Sequence, residues 1–384
     1  MIIGIIGKTN VGKSSFFKAA TMIDVEISNR TFTTINPNVG IGYVIVNCVC
    51  KEFGTKCNPK NGACKNGKRY IPVKLIDVAG LIPGAHEGKG LGNKFLDDLR
   101  QASAFIQIVD CSGLTDAEGK PTQNYDPGFD VEFVQNEIDL WFADVIKRAM
   151  GKIGRVQSKS EMIQLLAEQL SGLEISKKHI DAALEKASIT ETEKFAKIIR
   201  KISKPMLVAA NKSDLAIAQK NFEKLKERFK DFIIVPTSAD YEIALKKAAE
   251  MGIIEYLPEN DFKIIDRTKM TEMQLKALEK IKELIAKYGS TGVQSCLNKA
   301  VFELLGYIVV YPVEDENKLS DKKGNVLPDA YLVPKGTTAL ELAFKIHTDI
   351  GEKFISAIDA RSRRRLGKDY ELKNNDVVNI MTSK

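Results

Sequence analysis

Nowhere in its 384 residues does this chain hold an apolar run long enough to span a bilayer. The first strand-like run, Ile2 to Ile6, leaves no room ahead of it for a leader, so a cytoplasmic protein is expected. Paired Cys-x-x-Cys knuckles are absent, which sets aside the common zinc ribbons. An interleaved aromatic stacking motif is absent too, and this turns any recognition of RNA away from individual bases and toward backbone and shape. A composition of 44% hydrophobic and 28% charged residues excludes global disorder. The net charge of +7 leans toward polyanionic partners, although many basic proteins bind no nucleic acid. The length leaves room for two or three domains.

What is present begins at residue 7. Gly7-Lys8-Thr9-Asn10-Val11-Gly12-Lys13-Ser14-Ser15 follows the apolar run directly and leads into a helical pattern. In that setting Gly7, Asn10, Val11, Gly12 and Ser15 belong to a loop whose backbone N–H groups turn inward onto phosphates. Lys13 reaches the β- and γ-phosphates, and Ser14 ligates Mg²⁺. Leu75 to Gly80 is an apolar strand ending in Asp-x-x-Gly, which suits Asp77 to hold Mg²⁺ through water and Gly80 to turn its N–H toward the γ-phosphate.

A later buried-looking run, Met206 to Ala210, ends in Asn211-Lys212-Ser213-Asp214. Asp214 can accept from both the ring N1–H and the exocyclic amino group of guanine, a pair that adenine lacks. Asn211 can bond the base edge and tie down the loop, and the Lys212 stem can lie over the ring. After Phe232 to Val235, the small residues of Thr237-Ser238-Ala239 let a backbone N–H approach the guanine carbonyl. Four motifs in this order predict a guanine-nucleotide site on a doubly wound α/β domain, a P-loop NTPase fold with its ligand at the strand C-termini.

The chain resembles the Obg superfamily of GTPases, closest to its YchF and Obg-like ATPase branch. Thr31-Phe32-Thr33-Thr34-Ile35-Asn36-Pro37-Asn38 matches that family's switch I pattern, Gly84 to Leu96 matches its glycine-rich switch II, and the last part of the chain is similar to a TGS domain. The resemblance implies that Thr34, or else Thr33, meets Mg²⁺ and the γ-phosphate. It also implies that Asn10 helps to hold a K⁺ ion, unless it only bonds within its loop. Leu81 stands where Ras-like enzymes place a water-orienting Gln, so slow intrinsic turnover is expected. His86, in the glycine-rich segment, either approaches the γ-phosphate or is a solvated or packing residue. The YchF branch typically ends its base-reading motif in Glu and prefers ATP; here the motif is Asn-Lys-Ser-Asp, and GTP is expected over ATP.

Cys48, Cys50, Cys57 and Cys64 cluster in a Lys, Asn and Gly-rich excursion between two strand-like runs. They could wrap a tetrahedral Zn²⁺, form one or two disulfides in a disulfide-tolerant thermophile, or stay free. Cys111 and Cys296 read as small apolar fillers. The expected domains are 1–127, the first part of the nucleotide domain; 128–201, a helical insertion; 202–300, its second part; and 301–384, a small β-grasp TGS domain. Within the insertion, Met162, Leu165, Leu166 and Leu170 keep helical spacing, and an antiparallel helical hairpin is expected. Arg361, Arg363, Arg364, Arg365 and Lys368 form a basic cluster ahead of the last strand, read as an RNA phosphate contact or as a solvated face.

The functional expectation is a GTPase switch that binds GTP, GDP and Mg²⁺ and engages the ribosome or another RNA through the helical arm and TGS domain. A different class stays open: a nucleotide-binding stress regulator whose cysteines sense redox state or metal. An RNA chaperone with little nucleotide dependence is a third.

Overall fold

A computed structural model describes residues 1–22, 38–78, 80, 100–153 and 158–383. The expectations for Thr33, Thr34, Leu81 and His86, and for most of both switch segments, lie outside these residues. The chain divides into two compact units, one taking in residues 1–22, 38–40 and 74–300, the other 41–73 and 301–383. Residues 41–73, grouped with the nucleotide domain on sequence grounds, thus cluster with the C-terminal part.

In the first unit, Ile2–Ile6 (β1) leads through a loop to Lys13–Thr21 (α1). One seven-stranded sheet joins β1 to Val39–Asn47 (β2), Ala63–Lys65 (β3) and Lys68–Asp77 (β4), most of whose residues cluster with the second unit, and to Ala104–Asp110 (β5), Met206–Asn211 (β6) and Ile234–Pro236 (β7). Its order is β2-β4-β1-β5-β6-β7, with β3 antiparallel on β4. The strands β4, β1, β5, β6 and β7 run parallel. Every residue of β5 and β6 is buried, which is why both read as largely apolar, with Gln107 and the terminal Asp110 and Asn211 as the polar members, rather than as alternating.

Register decides what this sheet presents. Ile5 pairs with Asp77, Ile6 with Gln107, Asp110 with Asn211, and Ala210 with Pro236. The motifs that follow β1, β4, β6 and β7 therefore leave the sheet along one edge, at the strand C-termini.

Among its described residues the insertion holds four helices rather than a hairpin: Gly128–Ile153 (α2), Lys159–Gln169 (α3), Lys177–Leu184 (α4) and Thr192–Ser203 (α5). Trp141, Phe142, Ile146, Ile163, Leu166 and Phe195 belong to one buried core, which continues onto Ile6, Ile76 and Phe105 of the sheet. Met162 and Leu165 are only half-buried, whereas Ile163 is inside. Ser158 caps α3 and a Ser176–His179 box opens α4, breaks that the periodicity did not reveal.

Four further helices, Ala218–Arg228 (α6), Ala239–Glu250 (α7), Glu272–Tyr288 (α8) and Val293–Lys299 (α9), and a hairpin of Ile254–Tyr256 (β8) with Phe262–Ile264 (β9), also belong to the first unit. Thr271 and Gln274 close a capping box at the start of α8, and Gly289 ends it in the left-handed region at φ 86°.

In the second unit, Tyr307–Val313 (β10), Tyr331–Pro334 (β11), Ala339–Ile346 (α10), Thr348–Glu352 (α11), Phe354–Asp359 (β12), Arg365–Leu366 (β13) and Asp376–Thr382 (β14) build a β-grasp. The order is β11-β10-β14-β12-β13, with β10 and β14 parallel at its centre. Leu342 and Ala339 of α10 share a buried core with Val310, Val333, Ala357 and Val378.

Candidate nucleotide site

The loop after β1 is shaped for an anion. Gly12, at φ 94°, precedes α1; no side chain caps that helix and no acidic residue stands in its first turn, so its leading N–H groups and dipole are left for a negative ligand. A Cβ on Gly12 would collide with Asn211 Nδ2, and one on Gly7 would lie 2.5 Å from the Ile108 carbonyl oxygen. Both positions accept only glycine.

Lys13 folds back so that Nζ donates to the Lys8 carbonyl at 2.5 Å. Burial holds its ammonium below the ordinary lysine value, against the pull of Asp77. A charge desolvated in this way gains from an anion. Ser14 Oγ donates to Asp77 Oδ2 at 3.3 Å, while the buried Asp77 Oδ1 has no hydrogen-bond partner among the described residues. Burial also raises the Asp77 carboxyl, with Lys13 and then Ser14 opposing it. A hydroxyl in the first turn of α1 and an under-bonded carboxylate at the end of β4 suit a hydrated Mg²⁺. Gly80 sits close by: a Cβ there would be 3.3 Å from Lys13 Nζ.

Sequence reasoning missed the strap over this loop. Thr9 Oγ1 donates to the Glu118 carbonyl at 2.9 Å and Asn10 Nδ2 to that of Gly119 at 2.9 Å. Asn10, assigned to a K⁺ ion or to loop bonding, thus spends its amide nitrogen on the strap. Beneath it Lys8, 1% exposed, pairs with Asp130 at 2.8 Å, donates to the carbonyls of Thr115 and Asp116, and lies 4.1 Å from the centre of the Tyr125 ring. Tyr125 Oη donates to the other oxygen of Asp130 at 2.9 Å. Nothing local in the sequence marks Lys8 and Asp130 as partners.

The loop after β6 is tied to the phosphate loop. Asn211 Nδ2 donates to the Val11 carbonyl at 3.0 Å, and Asn211 Oδ1 accepts from Ala239 N at 3.1 Å. The side chain thereby ties the two loops together, with its amide nitrogen and oxygen both engaged within the protein. Lys212, at φ 62°, directs Nζ to Asp110 at 2.8 Å and to the Asn10 carbonyl at 3.3 Å. Burial alone would raise the Asp110 carboxyl, but donors from Lys212, Ser112 and Thr115 outweigh it and hold it below the ordinary value. Asp214 follows, half-buried, two residues beyond Lys212.

The third base-side segment differs from the expectation. Thr237 N donates to Ala210, Ser238 N to Thr291 and Ala239 N to Asn211, so all three N–H groups are engaged within the protein. Ser238 instead caps α7, accepting from Tyr241 N at 3.4 Å.

Beyond this site, Cys48, Cys50, Cys57 and Cys64 bring all their Sγ atoms within 4.8 Å of one another. Cys111 and Cys296 are buried and free. Of the basic cluster, Arg361 is committed internally: it grips both carboxylate oxygens of Glu52 at 2.5 and 2.8 Å and lies over the Phe53 ring. Arg363, Arg364, Arg365 and Lys368 are exposed. No helix among the described residues is long and apolar enough to cross a membrane.

Family models match three stretches: one described as a 50S ribosome-binding GTPase over residues 2–137, one as the G4 motif-containing domain of the Obg-like GTPase YGR210-like over 209–315, and one as a TGS domain over 322–382. An uncharacterized GTP-binding protein of Methanocaldococcus jannaschii is 56% identical, across 100% of this chain and 99% of that one. The crystal structure of a GTP-binding protein from Pyrococcus horikoshii OT3 matches with a TM-score of 0.79 at 40% identity, covering 100% of both chains. The ribosome-binding ATPase YchF of Mycoplasma pneumoniae is 35% identical over 55% of this chain and 56% of its own length. The chain belongs to the Obg-like GTP-binding proteins and carries a C-terminal TGS domain.

Proposed function

We propose that this chain hydrolyses GTP to GDP and phosphate, and that the change of nucleotide alters how it engages the ribosome or another RNA-containing partner. The observation that carries the reading is the meeting of Lys13, Ser14 and Asp77 with the Asn211–Asp214 loop along one edge of the parallel sheet.

In this reading Ser14 and Asp77 hold Mg²⁺, with Thr34 as a further ligand. Bound Mg²⁺ supplies neutralisation of the charge that grows on the phosphates during transfer. Lys13 gives up the Lys8 carbonyl for phosphate oxygens, and the Gly80 N–H faces the terminal phosphate. Loss of that phosphate removes the contacts that hold the segments of Thr34 and Gly80, which is the switch. Asp214 selects guanine by accepting from its two neighbouring N–H donors, although the YchF relative is named an ATPase. That relative's name also supports the ribosome as partner, and exposed Arg363, Arg364, Arg365 and Lys368 offer phosphate contacts for RNA.

Co-sedimentation of the full chain with ribosomes through a sucrose cushion tests the switch. The chain loaded with a non-hydrolysable GTP analogue is expected to pellet about fivefold or more above the GDP form, the lower end of ordinary coupling between two ligands. Equal pelleting in both states would remove the switch from the account.

A further inference from the structure

We propose that Cys48, Cys50, Cys57 and Cys64 bind one structural Zn²⁺ that fixes the excursion of residues 48–64 and, through it, the connection between β10 and β11. The four residues arrive from separate local structures. Cys48 precedes, and Cys50 lies within, the short helical turn Val49–Lys51, Cys57 follows on the loop, and Cys64 stands in β3. Asn66 and Gly67, at φ 53° and 74°, make the tight hairpin turn that returns the chain to β4, and Cys48 N donates to the Gly67 carbonyl at 2.8 Å.

The sulfur geometry suits the ion. Four thiolates about 2.3 Å from a tetrahedral Zn²⁺ stand about 3.8 Å from one another. Here Cys48 and Cys57 are 3.8 Å apart, Cys50 and Cys64 are 3.9 Å apart, and no pair exceeds 4.8 Å. Cys48 and Cys50 are buried, and none of the four is joined in a disulfide.

Charge gives a second, independent argument. Arg69 is 0% exposed and sits directly across the hairpin from Cys64. Its guanidinium donates to the carbonyls of Leu327 and Pro328 at 2.9 and 3.1 Å, its Nε has no hydrogen-bond partner, and no carboxylate pairs with it among the described residues. A buried cation without a counter-charge is costly. Zinc held by four thiolates carries two net negative charges, and this cluster adjoins Arg69 in the sheet register.

The excursion also has something to hold. Asn58 N donates to the Val326 carbonyl at 3.0 Å and Lys60 N to that of Pro328 at 2.8 Å. Asn61 bonds Asp329 at 2.9 Å, and Lys60 pairs with Asp321. A loop rich in lysine, asparagine and glycine has little apolar surface with which to fix itself, so a metal closing it would order the edge on which residues 321–329 lie.

Metal analysis of the full chain, purified under reducing conditions, tests this without reference to GTP. About one zinc per chain is expected, lost in Cys57→Ser and kept in Cys111→Ser. Should Cys57→Ser fail to fold, the wild-type chain still decides: stripped of zinc and kept reduced, it is expected to take up one Co²⁺ with the strong thiolate-to-cobalt absorption of a tetrahedral sulfur site. Exchange of the Asn58 and Lys60 amide hydrogens is expected to run about tenfold or more faster in the stripped chain. A reduced chain that binds neither zinc nor cobalt, one that holds stoichiometric iron instead, or amide exchange indifferent to the metal would each overturn the proposal.

Discussion

Alanine at Lys13 is expected to lower GTP turnover by about 100- to 1,000-fold while leaving the fold in place, the loss usual for one preorganised donor aimed at developing charge. The two effects separate for a physical reason. Without nucleotide, the Lys13 ammonium is partly desolvated and held by a backbone carbonyl, so it contributes little to stability. Removing it gives up one hydrogen bond and relieves one desolvated charge, terms that oppose each other. Single-turnover hydrolysis beside a thermal melt reads both. Turnover close to wild type would exclude Lys13 from the phosphate site, and a collapsed melting temperature would assign it a structural role.

The largest stability effect is expected at the strap. Asp130→Ala leaves the Lys8 ammonium inside the protein, held among the described residues by the carbonyls of Thr115 and Asp116 and the Tyr125 ring. Breaking one half of a buried pair costs about 3–5 kcal/mol. Replacing both halves with apolar residues of similar volume, Lys8→Met with Asp130→Leu, is expected to recover most of that loss, because no charge is then stranded. Urea unfolding of the three variants measures it. A single variant within about 1 kcal/mol of wild type would mean that the pair contributes no more than an exposed surface bridge does.

Both residues show where sequence reading stops. Lys13, Asp77 and Asn211 were legible because their roles depend on local spacing after apolar runs, and parallel register then aligns the ends of those runs. Strands β5 and β10 could be placed to the residue, since each is rich in β-branched and aromatic residues, with only Gln107 and the terminal Asp110 polar in β5. Lys8 and Asp130 meet only through tertiary folding, and a lysine next to a phosphate loop reads as solvated until the strap is seen above it.

The helical insertion was misjudged for a different reason. Periodicity reports one face of one helix, whereas the capped breaks at Ser158 and Ser176 depend on single polar residues within a lysine and glutamate-rich stretch. Asn66-Gly67, a strong hairpin signal, sat unread inside the cysteine excursion. Similarly, the N–H groups of Thr237 to Ala239 could be assigned to a base on composition alone, but only the fold reveals that Ala210, Thr291 and Asn211 already accept them.

The most direct measurement is a titration of the purified chain with fluorescent GDP and ADP in Mg²⁺, repeated for Asp214→Glu. Two guanine N–H donors meeting one carboxylate, with adenine offering neither, predict GDP binding about 100-fold or more tighter than ADP. The longer side chain of the variant is expected to close much of that gap by weakening GDP. ADP bound as tightly as GDP by the wild-type chain would contradict the account, because the loop that Asn211 fastens to Val11 would then not be reading guanine.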